Sequence, residues 1–285
     1  MASSVMVRDN TLSQNVAGTL SLGAFGHLVS FVPAAPLAPS HFYQVSLTAV
    51  RDLTGNSLSL SALLGFTTTA TADTAPPQVL GLSPPDSAAD VPLNAQVEIR
   101  FDEPVQTRSL DHIGLSANGE AISVLASLRQ GNQIVTLRPT TLLSPNTVFT
   151  VMIGPVQDLA GNTLVTPLQS NFTTGLDAVL LAPMVTGVNP AAQATLVLRH
   201  STIAVEFSEA INPLTITATT FTVSSTTGGQ VEGSLLVTPG EQQVIFTPAV
   251  ALEPATTYTV QLNGISDVTG QAVPFFSSSF TTVAP

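Results

Sequence analysis

The chain has 285 residues, a length that allows two or three domains with a hydrophobic core in each. Only 9% of the residues are charged, all seven basic residues are arginines, and the net charge is −11. An acidic surface without basic clusters argues against nucleic acid and against anionic membrane surfaces as partners. The absence of cysteine excludes disulfides and thiol catalysis.

The apolar segments are too short to cross a membrane. A spanning helix needs about 18 consecutive apolar residues, whereas the longest candidate, residues 178–182, ends at Pro183. Residues 1–10 lack the basic and then apolar layout of a signal peptide. Abundant threonine, serine, valine and glycine favour strands over helices, and we therefore expect an all-β protein.

Three segments of the chain carry the same landmarks in the same order: Leu-x-Pro before an aromatic residue, an Asp-x-x-Gly turn, and a Phe-Thr-Thr strand. They occur at Leu37 to Tyr43, Leu143 to Phe149 and Leu252 to Tyr258, then at Asp52 to Asn56, Asp158 to Asn162 and Asp267 to Gln271, and last at Phe66, Phe172 and Phe280. The turn glycines Gly55, Gly161 and Gly270 are 106 and 109 residues apart. Such constant spacing indicates an internal repeat.

Short alternating runs predict seven strands in the second repeat. They lie near Gln78–Leu82, Gln96–Phe101, His112–Ser116, Ala121–Leu128, Gln133–Arg138, Thr147–Ile153 and Ser170–Thr174. Val97, Ile99 and Phe101 alternate with polar residues and should face a core. Seven short strands in about 100 residues is the number expected of an immunoglobulin-like sandwich, and the aromatic after Leu-x-Pro stands where such folds place a tyrosine corner.

Together these motifs resemble the bacterial Ig-like repeat of the SbsA type. The resemblance is carried by Phe101-Asp102-Glu103-Pro104-Val105, Leu143 to Val151, Asp158 to Asn162 and Phe172-Thr173-Thr174. The third repeat departs from the pattern at Ala210 and Gln271, and the first has only the back half. The resemblance implies tandem immunoglobulin-like antiparallel β-sandwich domains, which we call repeat one (1–75), repeat two (76–177) and repeat three (178–285). It also implies an extracellular or cell-surface location, as in S-layer proteins and adhesins, with no activity common to all members.

Repeat one should be incomplete. The 106-residue offset aligns Met1 with Thr107, so this repeat lacks the counterpart of residues 77–106 and its first two strands. A sandwich without two strands would expose a core face and a strand edge. Three explanations are open: the chain is a piece of a longer array, another chain supplies the strands, or Val5–Arg8 and Val16–Leu22 form a reduced, self-sufficient sheet.

Carboxylates form the only candidate chemical site. In this topology the loops after the second and sixth strands share one end of the sandwich, which faces the preceding domain. We therefore expect two junction sites for calcium, which takes six to eight oxygen ligands. The candidates are Asp73, Asp102, Glu103 and Asp158 at one junction, and Asp177, Glu209 and Asp267 at the other. The alternative for Asp158 and Asp267 is a turn-capping role.

Other chemistry finds little support in the sequence. No nucleophile elbow, phosphate loop, dinucleotide fingerprint or zinc-protease motif is present, and the four histidines, His27, His41, His112 and His200, lack ligand spacing. The expected function is therefore a non-enzymatic spacer, stalk, S-layer or filament segment whose partners are neighbouring repeats or other copies of the chain. The alternative is an accessory module of a larger secreted protein that binds a surface glycan or a protein, although the only tyrosines, Tyr43 and Tyr258, are assigned to corners.

Overall fold

The computed structural model describes residues 5–22, 29–48, 50–52, 54–57, 63–226 and 228–285. The chain divides into two compact units, Met1–Thr74 and Ala75–Pro285. The described residues form strands and loops, with short 3₁₀ helices at Thr107–His112 and Pro213–Thr215. Among them, no helix is both long enough and apolar enough to cross a membrane.

The first unit contains one four-stranded sheet and one hairpin. Its strands are β1 (Val5–Asp9), β2 (Gln14–Asn15), β3 (Gly18–Leu22), β4 (Val29–Pro33), β5 (Phe42–Leu47) and β6 (Leu63–Thr67). The sheet has the order β2-β1-β5-β6, and β3 pairs with β4 in a separate antiparallel hairpin. The segments around Val5 and Leu20 thus belong to different sheets and do not form the single reduced sheet considered from the sequence.

Repeat two forms a complete two-layer sandwich. Its strands are β7 (Val79–Ser83), β8 (Ala88–Val91), β9 (Val97–Phe101), β10 (Ile113–Ala117), β11 (Glu120–Ala121), β12 (Val124–Arg129), β13 (Ile134–Pro139), β14 (Val148–Ile153) and β15 (Leu168–Thr174). The two sheets have the orders β12-β13-β9-β7 and β11-β10-β14-β15-β8. Val97, Ile99 and Phe101 are buried between them, as the alternation predicts.

Repeat three repeats this arrangement. Its strands are β16 (Val185–Asn189), β17 (Ala194–Val197), β18 (Ile203–Phe207), β19 (Phe221–Ser225), β20 (Gly233–Val237), β21 (Gln243–Pro248), β22 (Thr257–Leu262) and β23 (Phe276–Thr282). The sheets have the orders β16-β18-β21-β20 and β17-β23-β22-β19. The short strands β8 and β17 pair parallel to β15 and β23 within otherwise antiparallel sheets, and β8 is absent from the strands predicted for repeat two.

The tyrosine corners are present where the residue is tyrosine. The hydroxyl of Tyr43 accepts a hydrogen bond from the backbone N–H of Ala38 at 2.9 Å, and that of Tyr258 from Glu253 at 2.7 Å. Phe149 fills the same position in repeat two and cannot make this bond. The partial corner analogy drawn from the sequence is therefore confirmed.

The second threonine of each Phe-Thr-Thr strand holds the same corner loop. Thr174 Oγ1 donates to the carbonyl of Ser144 at 2.6 Å and accepts from the N–H of Thr147 at 3.0 Å. Thr68 and Thr282 make the corresponding pairs of bonds. Each hydroxyl thus pairs two backbone groups that would otherwise lack partners.

Candidate functional site

The turn aspartates bind their own turns. Asp158 Oδ1 accepts from the backbone N–H of Asn162 at 2.9 Å, and Asp267 Oδ1 accepts from that of Gln271 at 2.8 Å. Both aspartates are almost completely buried. The turn-capping role is therefore confirmed for both residues.

The exposed turn of repeat one is built in the same way. Asp52 accepts hydrogen bonds from the side-chain amide of Asn56 at 2.9 Å and the hydroxyl of Thr54 at 2.8 Å, and from both backbone N–H groups. These bonds lower the pKa of Asp52 to about 2, and the bond from the Asn56 side chain has the largest effect. Each bond lowers the pKa because it stabilises the charged form of the carboxylate.

In repeat two a glutamate lies beside the turn aspartate. A backbone bridge between Val105 and Asp158 places the loop after β9 next to the turn. One carboxylate oxygen of Glu103 lies within 4.8 Å of one of Asp158. Two such oxygens are part of the ligand set that calcium prefers.

Repeat three has a similar pair with a more unfavourable environment. A backbone bridge joins Ile211 to Asp267, and Glu209 lies two residues before Ile211 in the chain. Among the described residues, Oε2 of Glu209 is buried without a hydrogen-bond partner. Burial, and then the negative charge of Asp267, raise the pKa of Glu209 above its ordinary value.

The remaining candidate ligands are placed differently. The carboxylate of Asp102 accepts from the backbone N–H of Gln78 at 2.8 Å, and Asp177 is exposed, with its backbone carbonyl bound by the N–H of Leu93 at 3.0 Å. Within the described ranges, neither belongs to a group of three metal-ligand side chains. Asp73 is an exposed residue next to the end of the first unit.

The histidines and tyrosines do not form a binding surface in the described part of the chain. Nδ1 of His41 lies 2.7 Å from Oδ2 of Asp9, and His27 lies outside the described residues. Tyr43 and Tyr258 are each only 2% exposed. Neither ring is therefore available to stack on a sugar.

Repeats two and three contact each other directly within the second unit. The backbone N–H of Gln96 donates to the carbonyl of Val268 at 2.9 Å, and its side-chain amide donates to the carbonyl of Thr269. Val268 belongs to repeat three but is 6% exposed and packs in the hydrophobic core of repeat two. The turn of one repeat therefore completes the core of the other.

A buried glutamate is the centre of this contact. Glu98 is on the outer face of β9, accepts from the side-chain amide of Asn212 at 2.7 Å and pairs with Arg129. Beside it, the guanidinium of Arg100 donates to the carbonyl of Leu214 at 2.8 Å. Sequence reasoning missed these residues, because polar residues alternating along a strand are also typical of a solvent-exposed face.

The segment between the two repeats is also bound. The side-chain amide of Asn94 donates to the carbonyl of Val179 at 2.7 Å and accepts from its N–H at 3.0 Å. Val179 belongs to residues 175–183, the segment that joins the two repeats. The structure adds bonds that hold this linker against repeat two.

In the first unit, two residues are exposed whose equivalents in repeat two are buried in the core. Phe66 is 43% exposed, whereas Phe172 at the equivalent position of repeat two is 2% exposed. Val29 on β4 is likewise exposed and its equivalent Val135 is buried. In the described residues β4 pairs only with β3, whereas the equivalent β13 pairs with both β12 and β9. A strand edge and an apolar face are thus open together.

A family model described as a bacterial Ig-like domain matches residues 73–174 and again residues 181–282. The two matches together cover more than half of the chain. No curated protein sequence matches the chain.

Solved structures show only distant similarity. CopC from Methylosinus trichosporium OB3b is 16% identical, with a TM-score of 0.30 over 37% of this chain and 99% of its own. The N-terminal part of the bacterial S-layer protein SbsC is 13% identical, with a TM-score of 0.29 over 72% of this chain, which spans 44% of that structure. The LD transpeptidase LdtMt1 in complex with imipenem is 16% identical, with a TM-score of 0.27 over 56% of this chain and 64% of its own.

Proposed function

The chain belongs to the bacterial Ig-like domain family, and on that basis we propose that it is a non-enzymatic structural segment of an extracellular or cell-surface protein. Its role is to hold other parts of that protein, or other copies of itself, at a defined spacing. The observation that supports this role best is the direct contact between repeats two and three. Val268 packs in the core of the preceding repeat, so the two repeats cannot rotate freely as beads on a flexible linker do.

Distance measurements between the two repeats test the spacer role. The chain has no cysteine, so Ser127→Cys and Ser234→Cys at exposed positions accept a dye pair. We expect one narrow distance distribution, and Glu98→Ala should broaden it by breaking the contact with Asn212. A broad distribution in the unmodified background would contradict a spacer role.

Surface location is tested in the cells that produce the protein. We expect antibodies to label intact cells and added protease to remove the label, or the protein to be recovered from the medium. Exclusive recovery from the cytosolic fraction would overturn the proposed location. A glycan array tests the alternative binding role. Reproducible sugar binding would favour that role over a passive spacer.

We also propose that a strand from another chain covers the open core of repeat one. The exposed Phe66 and Val29 and the unpaired edge of β4 in the described residues support this assignment. Val29→Asp should reduce self-association in light scattering, because it places a charge on the open core face. Val32→Asp is the matched control, since Val32 is three residues along the same strand on the opposite face. A strict monomer at every concentration would rule out strand supply.

The paired carboxylates carry a proposal of calcium binding. Glu103 with Asp158, and Glu209 with Asp267, would supply part of the oxygen ligands. We expect calcium to raise the melting temperature and EDTA to lower it, and Glu209→Gln to reduce the effect in repeat three. An equal melting temperature with calcium, with EDTA and with neither would end this proposal.

A further inference from the structure

The contact between repeats two and three joins two different surfaces. One is the outer sheet face of repeat two, formed by residues 81, 98 and 100 on β7 and β9. The other is the loop end of repeat three, formed by residues 211–215 and 266–271. Leu214 lies so close above Gly81 that a Cβ at position 81 would come within 2.9 Å of Leu214 Cδ2. A glycine on the sheet thus leaves room for a side chain of the loop end.

Repeat two has a loop end of the same construction at residues 105–109 and 157–162. The backbone N–H of Gln106 donates to the carbonyl of Gln157 at 2.8 Å, as that of Asn212 does to Ser266 at 2.8 Å. The bridge of Val105 to the turn aspartate corresponds to that of Ile211 in repeat three. The two loop ends therefore share the backbone bonds that fix residues 105–106 and 211–212 against the turn of their own repeat.

The loop end of repeat two is exposed where that of repeat three is buried. Leu159 stands at the position of Val268, and it is 65% exposed, compared with 6% for Val268. Arg108 stands at the position of Leu214 and is also exposed. An apolar side chain that is buried at one copy of a contact and exposed at the other indicates a surface that lacks its partner.

Repeat three has the matching sheet face, and it too is exposed. Gly187 and Glu206 occupy the positions of Gly81 and Arg100, and Glu206 is exposed. Leu236 on the same sheet is 61% exposed. Both surfaces of the contact are therefore free within the second unit, one on each repeat.

The residues that would meet are complementary in charge. Within one chain, the guanidinium of Arg100 donates to the backbone carbonyl of Leu214, and the Leu214 side chain lies over Gly81, the strand partner of Arg100. The equivalent positions in the free surfaces are Glu206 and Arg108, a carboxylate opposite a guanidinium, which can form a bidentate pair. The equivalents of Glu98 and Asn212 are Ala204 and Gln106. A smaller side chain on the sheet face would therefore meet a longer amide side chain on the loop end.

From this complementarity we infer that the protein assembles head to tail. The loop end of repeat two docks on the outer sheet face of repeat three of a second copy, with Arg108 on Glu206 and Leu159 buried in the contact. The two surfaces differ, so the contact is heterologous and each added copy leaves both surfaces free for the next. This inference specifies how the proposed structural segment assembles and rests on that proposed function.

Charge exchange in the full chain tests the assembly. Sedimentation velocity over a concentration series should show species larger than the monomer. Arg108→Glu and Glu206→Arg should each weaken association by about tenfold or more, because like charges then face each other. The double variant should restore association to within about threefold of the original. Arg51→Glu and Glu120→Arg change exposed charges outside the contact and should have no effect.

Three outcomes would overturn the inference: a monomer at every concentration, association that neither single variant weakens, or association that the double variant fails to restore. Association through the open core of repeat one would instead respond to Val29→Asp and ignore the charge exchange. Labelling of intact cells is independent of all these results. Failure of head-to-tail assembly is therefore distinguishable from failure of the proposed structural role.

Discussion

Replacing Gly270 by alanine should disturb the contact between repeats as well as the turn itself. Gly270 has φ = +88°, and a Cβ at this position would overlap Nε2 of Gln96. Gly161 holds the same turn position in repeat two with φ = +97°, and a Cβ there would have no neighbour within 4 Å. The two substitutions share the backbone strain and differ only in the contact with the other repeat.

The expected losses of stability follow from these contacts. A positive φ costs alanine about 1–2 kcal/mol in either turn. Gly270→Ala also displaces the Gln96 amide from the carbonyl of Thr269, a loss of about 0.5–1.5 kcal/mol. Partial exposure of Val268 adds up to about 1 kcal/mol, less than the cost of exposing a whole valine. We expect a total of about 1.5–4.5 kcal/mol for Gly270→Ala and about 1–2 kcal/mol for Gly161→Ala.

Urea unfolding followed by circular dichroism measures both losses on the full chain. The distance distribution of the dye pair at positions 127 and 234 is a second measurement. It should broaden for Gly270→Ala and stay narrow for Gly161→Ala. Losses that agree within about 0.5 kcal/mol, together with unchanged distance distributions, would refute the coupling of this turn to repeat two.

Three further predictions concern single side chains. Thr174→Val should cost about 1–3 kcal/mol in urea unfolding, because it removes two hydrogen bonds to part-buried backbone groups, each of which contributes about 0.5–1.5 kcal/mol; a loss below this range would mean that water replaces the hydroxyl. Asp52 has a pKa lowered to about 2, so its stabilisation is complete above the unfolded pKa near 3.8 and is lost as the pH falls through about 2. Asp52→Asn should flatten this acid limb in circular dichroism, and an unchanged limb would contradict the assignment. Glu209 has a pKa raised above its ordinary value of 4.5, so its contribution to stability is fully present below that value and is lost as the pH rises through the higher pKa of the folded state. Stability should therefore increase on acidification from neutral pH toward that range, and Glu209→Gln should remove the increase; a pH dependence unchanged by the substitution would be inconsistent with this cause.

The strands of repeat two agree closely with the sequence pattern. The strand predicted at Gln96–Phe101 is observed at Val97–Phe101, because alternate burial between two sheets is written directly into alternate residues. The strand Ala88–Val91 was missed. Ser87 and Asp90 beside and within it have positive φ, and its partner β15 is distant in sequence, so no local pattern indicates it.

The turn aspartates were found because their partners are three or four residues away and the motif itself contains the geometry. The centre of the contact between repeats was not found, because Glu98 and Asn212 are 114 residues apart. A glutamate on a strand predicts solvent exposure unless a second domain covers it, and nothing in its neighbourhood in the sequence indicates that domain.

The sequence by itself determined the repeat, the strand faces, the corners and the capped turns, since each depends on residues a few positions apart or on the alternation along one strand. Only the tertiary structure decided which sheet face is covered, which loop end is free and which core is open. Those features depend on where whole sandwiches meet, and a polar or apolar residue at such a surface has the same local pattern whether a partner covers it or water does.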